Sequence, residues 1–164
     1  MLNQSLLPEL KYEAASTRRM LERVPFDKWS WKPHEKSMSL GELATHVADL
    51  VNWSAFTLET TEINWAEFKY NPPRPSNSEE LLAIHDKNTA ASVRALEGAT
   101  DEQLMAPWTM RAGDQVYFTL PRIATIRTYA FNHVVHHRGQ LSVYLRLLGV
   151  PVPGMYGPTA DEQG

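Results

Sequence analysis

Cysteine is missing from the 164-residue chain altogether, which removes disulfides, thiolate zinc sites, iron–sulfur clusters and a cysteine nucleophile of its own. Any bound metal must therefore rest on nitrogen and oxygen donors. No stretch approaches the roughly 18 consecutive apolar residues of a membrane-spanning helix, and Met1–Leu10 lacks a basic start followed by a long apolar run. A soluble, cytoplasmic protein without a membrane partner is expected. Positive charge is not in excess either: 16 Lys and Arg against 19 Asp and Glu give a net charge of −3, which creates no field that gathers nucleic acid. Internal repeats, a GxSxG elbow, a phosphate loop, an HExxH pair and a dinucleotide glycine pattern are missing as well.

What is present is apolar material, 43% of the residues, enough for the core of a single domain. From Gln4 to Val24, Leu6, Leu10, Ala14, Thr17 and Leu21 recur at intervals of three and four and predict a first helix that stops at Pro25. Ser39-Leu40-Gly41-Glu42 fits a capping box and opens a second helix to about Thr60. After the proline-dense "NPPRPSN", Ser76 or Asn77 can cap a third helix to about Glu97, with Glu79 and Glu80 favourable in its first turn. Residues 107–119 alternate about Gly113-Asp114 as a short hairpin does. Pro121 then suits the first turn of a fourth helix ending near Gly149.

The expected boundaries are about 4–24, 39–60, 77–97 and 121–148, with 149–164 as a C-terminal arm. The fold class is all-α, a four-helix bundle with long connections and a β-hairpin between helices 3 and 4. The arm "GVPVPGMYGPTADEQG" has no core of its own and is expected to pack along the bundle or on a partner chain.

Three of the six histidines fall within "HVVHH", residues 133–137. At 100° per residue, His133 and His137 share a face with Ile126, Ala130, Leu141, Tyr144 and Leu148, while Arg138, Ser142 and Arg146 lie opposite. His46 falls in the stripe of Leu43, Leu50, Trp53 and Thr57. All three imidazoles are thus expected to point into the core, where a polar group without a partner costs about 1–3 kcal/mol. Each could find its own carbonyl or hydroxyl. Alternatively, one divalent ion satisfies all three, because HxxxH places two donors one turn apart and His46 supplies a third from a neighbouring helix.

Other residues are read alongside them. His136 lies about 100° from His137 and reads as a flanking residue. His85, on the side of Leu81, Asn88 and Leu96, reads as a core or pocket histidine, with a fourth ligand as the alternative. Asp49, one turn from His46, either orients an imidazole or is solvated. Gln140 can hydrogen-bond a ligand or a bound water, and Arg138 reads as structural or interfacial. Gly139 costs about 1 kcal/mol against Ala inside a helix, which a close helix or chain approach would offset. Trp29, Trp31, Trp53, Trp108 and Tyr144 either fill the core or line a pocket.

"SMSLGELATHVADL", "APWTMRAGDQVYFTLPR" and "NHVVHHRGQLSVYLRLLGVPVPGMYGPTADE" closely resemble the DinB/YfiT-like family, and the likeness runs essentially end to end. Its most specific element is HxxxHRGQ together with one upstream helix histidine. The resemblance implies a four-helix bundle with a His₃ divalent-metal site, often in homodimers, and relatives that are metal-dependent transferases of low-molecular-weight thiols. It puts the ligands at His46, His133 and His137. Such a donor set suits Zn²⁺ or Ni²⁺ and leaves positions open for water or substrate. With no thiol in the chain, the sulfur would arrive as a cosubstrate. The expected function is a metal-dependent transfer of a small thiol to an electrophile; a non-catalytic, stress-associated metal-binding dimer and a metal-dependent hydrolase are the alternatives. No general base is identifiable from the sequence.

Overall fold

Helix α1 (Asn3–Leu21) heads a computed structural model that describes residues 1–162, so the last two positions of the expected arm lie outside the described residues. Its stripe of Leu6, Leu10, Ala14, Thr17 and Leu21 is buried, and the chain leaves the helix ahead of Pro25. A single 3-10 turn, Phe26–Lys28, then brings Trp29 against the start of α2 (Leu40–Leu50). There the Gly41 amide donates to the Trp29 carbonyl at 2.9 Å, and a methyl group at Gly41 would run into the indole ring. Only glycine permits this approach. The capping box closes as read: the Glu42 amide donates to Ser39 Oγ at 3.1 Å, and the Ser39 amide to Glu42 Oε2 at 2.6 Å.

The 39–60 segment is two helices rather than one. Helix α2 ends at Leu50 and α3 (Trp53–Glu59) follows after Val51 and Asn52. The interruption has a visible cause in Ser92, on the facing helix α4 (Ser78–Gly98). Its hydroxyl donates to the Val51 carbonyl at 2.7 Å and accepts from the Ala55 amide at 3.3 Å, standing where the direct helical bond between those two groups would run. Helix α4 is capped by Asn77, whose side chain accepts from the Glu80 amide at 2.8 Å.

The expectation of an all-α chain is corrected to a mostly helical one carrying a three-stranded sheet. β2 (Pro107–Ala112) and β3 (Gln115–Pro121) form the hairpin, with Gly113 at φ +57° in the turn. β1 (Glu62–Asn64) adds to it in parallel, Ile63 opposite Met110. Asn64 ties the sheet to its turn by accepting from the Gly113 amide at 2.8 Å. A short helix α5 (Asp101–Met105), capped by Thr100 and Gln103, precedes the hairpin.

From Arg122 to Leu147 the chain is helical but not uniform: α6 (Arg122–Thr125) runs through a π-helical segment, Ile126–Asn132, into α7 (His133–Leu147). Helices α1, α2, α4 and α7 pack on one another around two apolar clusters. One holds Leu21, Leu43, Val47, Leu81 and Leu141; the other holds Leu6, Leu10, Leu96, Ile126 and Phe131. A third cluster, centred on the buried Trp108, joins the sheet to α3.

The arm lies along the molecule's own helices. Val152 is buried in the first cluster, the Tyr12 hydroxyl donates to the Met155 carbonyl at 2.7 Å, and Arg146 pairs with Asp161 at 2.6 Å. Arg138, 2% exposed, pairs with Glu13 at 2.7 Å and donates to the Tyr156 hydroxyl, so it locks α1, α7 and the arm together. No described helix is long and apolar enough to cross a membrane.

A candidate metal centre between α2 and α7

His46 on α2 and His133 and His137 on α7 converge, each offering a ring nitrogen within 4.8 Å of the other two. They are not core residues in the sense expected from the helical wheel. All three are half-buried, His46 and His133 in the wall of a cleft, while Ile126 and Ala130, read as part of the same stripe, are fully buried. The π turn explains the difference: its wider i→i+5 bonding shifts the phase of the helix between Ala130 and His133, turning the histidines out of the core.

A hydrogen bond defines which nitrogen of the His137 ring is free. His137 Nδ1 lies 2.7 Å from Gln140 Oε1, an acceptor, so that nitrogen carries the proton. The Tyr129 backbone, one turn earlier, favours a proton on the His133 ring. His137 Nε2 and His133 Nε2 then face each other at 2.9 Å. Two lone pairs at that distance repel unless a proton or a cation lies between them. Donors each 2.0–2.1 Å from one zinc ion are roughly 2.9–3.4 Å apart, so the spacing fits a metal.

Burial supplies the protonation state that a metal requires. Desolvation, reinforced by the neighbouring His137 and His133, lowers His46 from 6.5 to about 4. Desolvation lowers His133 and His137 as well. Neutral imidazole is the ligating form.

The other sequence candidates sort cleanly. His136 is exposed and accepts from Gln140 Nε2 at 3.1 Å, outside the triad but touching the residue that orients His137. His85 is buried elsewhere, beside Asp86, with its Nε2 unpartnered among the described residues at a cavity of about 10 Å³ bordered by Glu13, Thr17 and Phe131. It does not belong to the metal cluster. Asp49 does not orient His46: its two oxygens accept from Tyr70 Oη at 2.8 Å and Asn88 Nδ2 at 3.1 Å. Gly139 shows no close approach, since a Cβ there would meet open space. Trp108 is core, Trp31 packs edge-on against Tyr144, and Trp29 and Trp53 line clefts.

Two clefts meet at His46 and Tyr70. One, of about 500 Å³, carries Glu42, Thr45 and Arg74. The other, of about 330 Å³, is walled by aromatic side chains from α3 and the following connection and by Tyr129 and His133. Sequence reasoning overlooked Trp65, Phe68 and Tyr70, although "NWAEFKY" sets three aromatics at short intervals just before a proline-rich break.

A match to the DinB family extends over residues 1–163. The uncharacterized protein YrdA of Bacillus subtilis is 22% identical over 156 residues, 95% of this chain and 89% of its own length. YjoA of the same organism is 29% identical over 133 residues, 81% and 82% of the two chains. In three dimensions, the crystal structure of the DinB-like YjoA superposes with a TM-score of 0.71 at 22% identity, covering 98% of this chain and 99% of that one. That of a DinB-like protein from Bacillus cereus gives 0.72 at 25% identity, covering 93% and 97%.

Proposed function

Because this chain belongs to the DinB family, we propose that His46, His133 and His137 hold one divalent ion, Zn²⁺ or Ni²⁺, and that the protein transfers a low-molecular-weight thiol to a small electrophile. The observation that carries the reading is the pair of Nε2 atoms 2.9 Å apart, with His137 Nδ1 already hydrogen-bonded to Gln140 and a His46 ring nitrogen within 4.8 Å. In the same reading α1, the α2–α3 pair, α4 and the α6–α7 run are the four helices of a DinB/YfiT-type bundle and the working form is a homodimer, both as the family resemblance implies, and the protein works in the cytoplasm.

When bound, a divalent ion on three neutral nitrogens keeps positions open and favours the thiolate form of a thiol beside it. The chain's own residues do the rest. Gln140 holds the His137 ring with Nε2 forward. Burial keeps His46 neutral, so protons compete poorly for it. Tyr70, raised above the ordinary phenol range first by burial and then by its bond to Asp49, stays protonated and acts as a donor rather than a base. In the transfer, the thiol proton leaves to solvent, a carbon–sulfur bond forms, and the bond from that carbon to its leaving group breaks with the electron pair going to the leaving group. The two clefts support a reaction of two substrates, and no fourth protein donor closes the triad among the described residues.

The test is a panel of thiols with a generic alkylating electrophile, using protein of known metal content. The reading expects a thiol-dependent rate that His133→Ala abolishes. Rates equal to that variant's across the panel contradict the transferase. Electrophile consumption that is metal-dependent but independent of added thiol assigns the hydrolase instead.

A further inference from the structure

We propose that the aromatic cleft beside the triad is the acceptor subsite and takes the uncharged aromatic ring of the electrophile. The assignment of a reactive role rests on the metal reading above, whereas binding of the ring itself does not require the ion. The cleft is continuous with the triad, since His46 and His133 form part of its wall. Its far side is made by Trp53 and Phe56 from α3 and by Trp65 and Phe68 from the connection after β1. These rings brace one another, Phe56 against Phe68 at 5.7 Å and Trp65 against Phe68 at 5.6 Å and 90°. Trp65 and Phe68 are nonetheless each 40% exposed. Large apolar side chains held in place yet left open to solvent mark a surface that ligands cover.

Charge narrows the ligand further. No Lys or Arg is among the residues lining this cleft, and its one carboxylate, Asp49, already accepts from Tyr70 and Asn88. Among the cleft's own side chains an anionic ring would find no cation and would meet a negative group; a neutral one meets aromatic faces. The neighbouring cleft, with Glu42 and Arg74, offers charged partners instead and reaches His46 from the other side. A charged thiol and an uncharged ring can therefore approach the same histidine through separate doors. At about 330 Å³ the space lies at the small end of ligand sites, suited to one or two fused rings.

The experiment is equilibrium dialysis of 1-naphthol, 1-naphthoate and cyclohexanol against metal-loaded and chelator-treated protein, with metal content measured in parallel. 1-Naphthol is expected to bind one per chain in both forms. In the chelator-treated form, where no ion can ligate a carboxylate, 1-naphthoate and cyclohexanol should bind at least about tenfold more weakly. Trp65→Ala and Phe68→Ala should each weaken 1-naphthol roughly three- to tenfold with metal content unchanged, Trp65→Phe should retain binding, and Arg74→Ala should leave it as it was. Equal binding of naphthoate and naphthol to chelator-treated protein, or no change in both alanine variants, overturns the proposal. Ring binding without metal binding would contradict the metal reading alone; full metal content without ring binding would contradict the acceptor subsite alone.

Discussion

At the scale of single residues, the triad is prepared by its neighbours rather than by the histidines alone. Gln140 fixes the His137 tautomer through a 2.7 Å bond to Nδ1 and is itself met by His136, so a residue outside the triad still braces it. Groups that hold metal-bound histidines in this way typically contribute 10–100-fold to affinity. Gln140→Ala is accordingly expected to weaken metal binding by about that factor while leaving stoichiometry at one, as read by competition with a chelator of known affinity. Unchanged affinity would mean that the His137 ring needs no such support. The HxxxH spacing and the direction of His136 were legible because they are properties of one helix. The partners of Asp49 were not, since Tyr70 and Asn88 lie 21 and 39 residues away along the chain.

Elements were legible where their signals are local and hidden where another part of the chain rewrites them. The Ser39–Glu42 capping box, the Asn77 cap and the Gly113 turn each depend on a few adjacent residues, and each forms. The break after Leu50 depends instead on a hydroxyl from α4, and the parallel strand β1 on pairing with residues nearly fifty positions on. Ser92→Ala should leave the Val51 carbonyl and Ala55 amide without their shared partner and lower stability by about 1–3 kcal/mol in denaturant titration. A gain in stability would indicate that α2 and α3 fuse into a regular helix once the hydroxyl is gone. On α7, Gly139 faces open space, so Gly139→Ala should raise stability by about 1 kcal/mol through helix propensity. A loss in the same measurement would mean that a second chain packs closely over this face.

For the molecule as a whole, the same burial that keeps the histidines ready for metal makes the metal-free protein sensitive to acid. His46 titrates near 6.5 in the unfolded chain and at about 4 in the folded one. Above pH 6.5 neither form carries the proton and folding is unaffected. Below it the unfolded chain takes up a proton that the folded chain refuses, so stability falls down to about pH 4, where the folded form protonates too. His133, His137 and His85 are displaced in the same direction, chiefly by burial. The arm's carboxylates act lower on the scale: Asp161, held at about 2 by Arg146 and the Val152 amide, contributes stability that is lost as pH falls below 3.8, and Glu162, lowered by the Gly154 and Thr159 amides, as it falls below 4.5. The denaturation midpoint of metal-free protein is therefore expected to drop between pH 6.5 and 4, and saturating Zn²⁺ to move the onset to lower pH. A midpoint flat across that interval would show that the histidines are as accessible folded as unfolded.

The most direct test of the account is the metal content of four purified variants, His46→Ala, His133→Ala, His137→Ala and His136→Ala, set beside the unaltered chain. A site built by convergence of α2 and α7 predicts one ion per chain in the unaltered protein and in His136→Ala, and loss of stoichiometric binding in each of the other three, including His46→Ala, whose residue lies almost ninety positions from its partners in sequence. Equal losses in all four, or full retention in His46→Ala, would contradict it.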